Sequence, residues 1–181
     1  DVKPANLMVC QRGGVADVVK VIDFGLVEDV SSRVAGAERD GHRITGTPLY
    51  LAPESIAAPD SIDARSDLYA LGAVGYFLLT GVPPFSGRNV VEVCHHHLDS
   101  DPIAPSRRVA ADIPAALEQL ILACLAKDPA DRPASAAALR DALEPIAAGW
   151  TQEDAARCWR EPPRAPATGR VEPYAMTALA A

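Results

Sequence analysis

The sequence predicts a mainly α-helical domain with one short β-hairpin at its N-terminal end. Three observations lead there. Two stretches rich in β-branched or other apolar residues, 6–9 and 18–22, bracket Gly13-Gly14 close to the start. From residue 63 onward, apolar residues recur at helical spacing behind capping side chains. Apolar residues make up 49% of the 181, enough for a core in one domain of ordinary size followed by a tail.

In chain order, the hairpin has Asn6 at its entry and Asp23 at its exit, so two residues distant in sequence are expected to meet in space. Residues 26–47 lack apolar periodicity and carry Gly36 and Gly41, the pattern of a long functional loop. Asp63 then offers an N-cap for a helix over 64–80, stopped by Gly81 and Pro83-Pro84. Leu68, Leu71, Val74, Phe77 and Leu78 line one side of it, and Ala70, Ala73, Tyr76 and Leu79 much of the other. A helix apolar nearly all round is expected to be buried, the central pillar of the domain. A shorter helix follows over 89–98, then a Pro-rich connector over 101–114. Leu117, Leu120, Ile121, Cys124 and Leu125 mark an amphipathic helix. Residues 128–133 read as a turn, and Ser135 caps a helix carrying Leu139, Leu143 and Ile146. Thr151 to Asp154 resembles a capping box for a last helix through Trp159, which is expected to anchor it to the lobe. Residues 164–181 read as an Ala/Pro-containing linker after Pro162-Pro163.

Composition excludes several classes of function. The formal net charge of −7 argues against nucleic acid or an anionic membrane surface as the main partner. No apolar run reaches the ~18 residues of a membrane span; the stretch 68–79 is too short and is broken by Tyr69, Gly72, Gly75 and Tyr76. Cys10, Cys94, Cys124 and Cys158 form no CxxC pair and are expected to be reduced thiols of a cytoplasmic protein. His95-His96-His97 is not expected to bind a metal, because consecutive helical side chains point about 100° apart. The chain opens on Asp1 without an initiator Met, so it is expected to be a piece of a longer one, and a membrane anchor beyond it stays open.

Two acids, an amide and a lysine cluster at the hairpin ends, in Asp1-Val2-Lys3-Pro4-Ala5-Asn6 and Asp23-Phe24-Gly25. Solvated acids and a turn-forming Asn would not explain why Asn6 and Asp23 flank one hairpin. Further on come Gly46-Thr47-Pro48-Leu49-Tyr50-Leu51-Ala52-Pro53-Glu54, the apolar helix, and Asp131-Arg132-Pro133. None of these motifs is specific alone. In this order, over residues 1–148, the chain resembles the C-terminal lobe of a eukaryotic-like serine/threonine protein kinase of the bacterial kind, followed by a helical extension (149–161) and a linker (162–181).

That resemblance implies roles residue by residue. Asp1 corresponds to the acid that orients an attacking hydroxyl, and Lys3 to the cation that reaches the transferred phosphate of ATP. Asn6 and Asp23 correspond to the oxygen ligands of Mg²⁺. Phe24 would pack inward and Gly25 would let the backbone turn. Thr47 corresponds to the threonine bonded near Asp1 and Lys3, and residues 49–51 to the shelf beside the acceptor. Glu54 and Arg132 correspond to a buried structural ion pair, and Asp67 to an acid that accepts from catalytic-loop amides. Proteins bearing Ser or Thr acceptors are the implied partners, with self-phosphorylation of the loop at Ser31, Ser32 or Thr45.

The resemblance is partial. The 181 residues hold no glycine-rich phosphate loop, strand lysine or paired helix glutamate, so alone they are expected neither to bind ATP tightly nor to turn over. Two readings stay open at this stage: a protein kinase, and a pseudokinase-like or truncated module that binds partners without catalysis.

Overall fold

The computed structural model describes residues 1–23 and 47–161. A 3-10 turn, Pro4–Asn6, leads into strand β1 (Leu7–Arg12), which pairs antiparallel with β2 (Val15–Val21). Arg12 faces Val15, and Gly13 and Gly14 have φ of +59° and +80°. This is the two-residue turn whose twist matches the strands, and it needs residues without a Cβ. The strands outrun the expected 6–9 and 18–22 because pairing continues to the turn. Between Cys10–Val18 and Arg12–Val15 the register shifts, so β2 carries one extra residue there. Asp17, at φ +58°, sits in that bulge.

Six helices follow among the described residues: α1 (Pro53–Ala57), α2 (Ala64–Thr80), α3 (Val90–Asp99), α4 (Ala115–Cys124), α5 (Ala136–Ala147) and α6 (Gln152–Arg160). Their starts are chemically marked. Asp63 accepts from the Arg65 amide (2.8 Å), Asn89 from Glu92 (2.9 Å) and Ser135 from Ala138 (3.1 Å). Thr151 and Asp154 exchange both bonds of a capping box. Gly81, left-handed at φ +74°, closes α2 with its amide on the Phe77 carbonyl.

Helix α2 is the hub. Tyr69, Ala73 and Tyr76 pack with Ala52, Ile121 and Leu125, and Leu68 with Cys124 and Leu139. Helix α4 comes so close that a Cβ on Gly72 would stand 2.6 Å from the Cys124 Cβ. One expectation needs correction. Leu71 is 40% and Leu78 73% exposed, so one stripe of α2 faces outward among the described residues. Periodicity shows that a face is apolar, not what covers it.

The Glu54–Arg132 pair is buried as expected. Arg132 donates to both Glu54 oxygens (2.7 and 2.8 Å) and to the carbonyls of Ala126, Arg65 and Lys127, and its guanidinium lies 4.9 Å from the Tyr69 ring centre. Burial pushes the Glu54 carboxyl up, but Arg132 and the Ser66 hydroxyl outweigh it and hold it below its ordinary value. No helix of the described residues is long and apolar enough to cross a membrane.

Candidate active site

The hairpin and the segment entering α1 meet at Lys3. Its ammonium pairs with the Asp1 carboxylate and donates to the Thr47 hydroxyl at 3.1 Å. The Asn6 amide nitrogen donates to the Asp1 carbonyl (2.9 Å), with a longer contact to the Asp1 carboxylate (3.4 Å). Asn6 is buried, whereas Asp1 and Lys3 keep 22% and 24% of their side chains exposed. A buried amide is thus hydrogen-bonded to a partly exposed acid that pairs with a partly exposed cation.

At the other end of the hairpin, the Ile22 amide donates to the Asn6 carbonyl at 3.0 Å. That bond sets Asp23, which is exposed, in the position next to the residue bonded to Asn6. With the Asn6 amide nitrogen engaged by Asp1, its Oδ1 is the side-chain atom that could ligate a cation. One neutral oxygen and one carboxylate suit Mg²⁺, which takes few protein ligands and completes its shell with water and phosphate oxygens.

Asp1, Lys3, Asn6 and Thr47 are therefore brought together, with Asp23 beside them. Phe24, Gly25, Ser31, Ser32 and Thr45 lie outside the described residues, as does the linker 162–181. Asp67 is exposed, and its side chain makes no hydrogen bond among the described residues. The three histidines diverge: His95 pairs with Asp99, His96 bonds Ser100, and His97 turns inward.

Sequence reasoning missed two supports. His97 is 0% exposed behind Pro48–Tyr50, its Nδ1 2.8 Å from the Tyr69 hydroxyl and its ring against Phe85. Its Nε2 has no partner of good hydrogen-bonding geometry, although the Leu49 backbone stands close enough to favour a proton on the ring. Burial, helped by the Lys127 charge, still pushes His97 down to about 4. The second support is α6, which packs on β2. The sequence marked its cap and Trp159 as its anchor but not the hairpin as its partner, because the partner residues lie at the opposite end of the chain.

The family model described as "Protein kinase domain" matches residues 1–143. The chain belongs to the protein kinase family. It is 42% identical over 153 residues to serine/threonine-protein kinase pkn3 of Myxococcus xanthus, covering 81% of this chain and 27% of that protein. It is 40% identical over 166 residues to serine/threonine-protein kinase PknB of Mycobacterium tuberculosis, covering 92% and 24%. To probable serine/threonine-protein kinase PknB of Corynebacterium glutamicum it is 41% identical over 135 residues, covering 73% and 20%. The alignments with these relatives take in roughly a quarter of their length. The fold class follows from both lines: a helical kinase lobe with one two-stranded hairpin.

Proposed function

We propose that the protein to which this kinase lobe belongs transfers the γ-phosphate of Mg·ATP to serine or threonine hydroxyls of other proteins. The observation that carries the reading is the Asp1–Lys3–Thr47 contact beside Asn6, in a chain of this family. Residues 1–148 are the lobe, and the helical extension 149–161 and the linker 162–181 follow it.

The roles follow from charge and position. Asp1 orients the acceptor hydroxyl and takes its proton as oxygen attacks phosphorus. Lys3, held between Asp1 and Thr47, offsets negative charge on the transferred phosphoryl group, and works best where that charge develops. Thr47 fixes the ammonium and leads directly into Pro48–Tyr50, where a protein acceptor would lie. Asn6 and Asp23 would hold Mg²⁺, which neutralises and orients the phosphates when bound. Phosphorylation of Ser31, Ser32 or Thr45 would add roughly −1.5 to −2 of charge to the residues between Asp23 and Thr47. The setting is cytoplasmic, where ATP is found.

The test is phosphoamino-acid analysis of a generic basic protein after incubation with the full-length chain, Mg²⁺ and γ-labelled ATP. Phosphoserine and phosphothreonine are expected. Label on tyrosine alone, or none, overturns the reading. Residues 1–181 alone are expected to be inactive, and label transferred by them would overturn that expectation.

A further inference from the structure

The hairpin that ends in Asn6 and Asp23 has little support of its own. Two isolated strands are marginal in water, and Met8, Val9, Val15, Val19 and Val21 are each at least 44% exposed. Ala16 is the one strand residue that is buried, at 4%. Among the described elements, α6 is the one packed most extensively on the hairpin.

The contact is specific. Trp159 Nε1 donates to one oxygen of Asp17 (2.8 Å) and Trp150 Nε1 to the other (3.0 Å), while the Ala16 amide donates to the Gln152 side chain (3.1 Å). Asp17 is also the bulge residue, at φ +58°. Among side chains other than glycine, Asp and Asn tolerate that conformation best. A bulge re-aims a side chain, and here it presents a carboxylate to two indoles. Helix α6 is joined by a short link to α5, which packs on α4. A mechanical line therefore runs from the lobe through α5 and α6 to Asp17, along β2, and to the Ile22–Asn6 bond.

We propose that Asp17, clasped by Trp150 and Trp159, is a positioning residue through which α6 sets where Asn6 and Asp23 stand. The role rests on the phosphotransfer reading above, and α6 lies beyond the residues that the family model matches. Six residue steps at about the rise of a strand span about 20 Å from Asp17 to Asp23, so a tilt of about 3° at the bulge moves the Asp23 end by about 1 Å. An error of that size in a reacting geometry costs up to about a hundredfold in rate.

The test uses the full-length protein with three variants. Asp17→Gly removes both acceptors while relieving the backbone. Asp17→Asn keeps one acceptor and the tolerance for positive φ. Trp159→Phe removes one donor and keeps an aromatic ring, though a smaller one. Hydrogen–deuterium exchange at the Ile22 amide is expected to quicken about tenfold in Asp17→Gly and less in the other two. The Mg²⁺ concentration giving half-maximal phosphotransfer is expected to rise about fivefold or more in the same order. Faster exchange confined to residues 15–18, with Ile22 and the Mg²⁺ requirement unchanged, overturns the proposal. So does faster exchange throughout α2, the mark of a merely destabilised lobe. If the unaltered protein transfers no phosphate, the functional reading fails, and Ile22 exchange still decides whether α6 holds the hairpin.

Discussion

Replacing Arg132 with Met keeps most of the side-chain volume and removes five hydrogen-bond donations at once. The Arg132 side chain is 0% exposed and Glu54 8%. The variant leaves the Glu54 carboxylate buried with the Ser66 hydroxyl, at 2.5 Å, as its remaining side-chain donor. It also strips a donor from the carbonyls of Arg65, Ala126 and Lys127. Breaking a buried pair from one side costs about 3–5 kcal/mol, a large share of the roughly 5–15 kcal/mol that holds a domain together. With a urea dependence of about 2 kcal/mol per molar, the midpoint should fall by about 2 M. Pulse proteolysis of the full-length chain in urea, followed on peptides of residues 47–161, reads that shift. Glu54→Gln in the Arg132→Met background should restore part of the loss, because the stranded charge is gone. A loss below about 1 kcal/mol for Arg132→Met, or strict additivity in the double variant, would refute the reasoning. Because the folded Glu54 carboxyl titrates below its ordinary value of 4.5, its contribution is intact above that pH and disappears as pH falls through the folded value.

His97 should make the lobe acid-sensitive in a different window. Its folded value of about 4 lies below the ordinary 6.5, so the unfolded chain takes up the proton first. Stability therefore falls as pH drops below 6.5 and levels off below about 4, with about 2 kcal/mol lost by pH 5; denaturation of His97→Gln over that range should show most of this dependence removed. Gly72→Ala should destabilise by about 1–3 kcal/mol despite better helix propensity, since its Cβ would meet the Cys124 Cβ at 2.6 Å. Gly75→Ala, facing only the flexible end of Ile121 at 3.3 Å, should be milder in the same melts. Lys3→Met should lower kcat by about a hundredfold or more in steady-state phosphotransfer. Thr47→Val, which leaves the charge and removes its tether, should lower it less.

What was legible in the sequence was local. The Gly13-Gly14 turn, the caps at Asp63, Ser135 and Thr151, and the Gly81 stop each rest on a few neighbouring residues, and α2 starts and ends as they dictate. The meeting of Asn6 with the end of β2 followed from hairpin geometry. The pairing of Glu54 with Arg132, and of Lys3 with Thr47, came from the resemblance, because no periodicity links residues so far apart. Three features escaped for physical reasons. Helix α1 is too short to show a period. Leu71 and Leu78 carry the same apolar signal as the buried residues of α2. The hold of Trp150 and Trp159 on Asp17 depends on a bulge that no residue pattern announced.

The central claim is that Asp1 and Asp23 divide the work of one active site, acceptor on one side and metal on the other. Single-turnover phosphotransfer and Mg²⁺-dependent ATP binding, measured together on full-length Asp1→Asn and Asp23→Asn, separate the two roles. The account predicts that Asp1→Asn binds Mg·ATP as the unaltered protein does but loses transfer by about a hundredfold or more, whereas Asp23→Asn loses the metal-dependent part of binding. Transfer by Asp1→Asn at the unaltered rate, or undiminished Mg²⁺-dependent binding in Asp23→Asn, would contradict it.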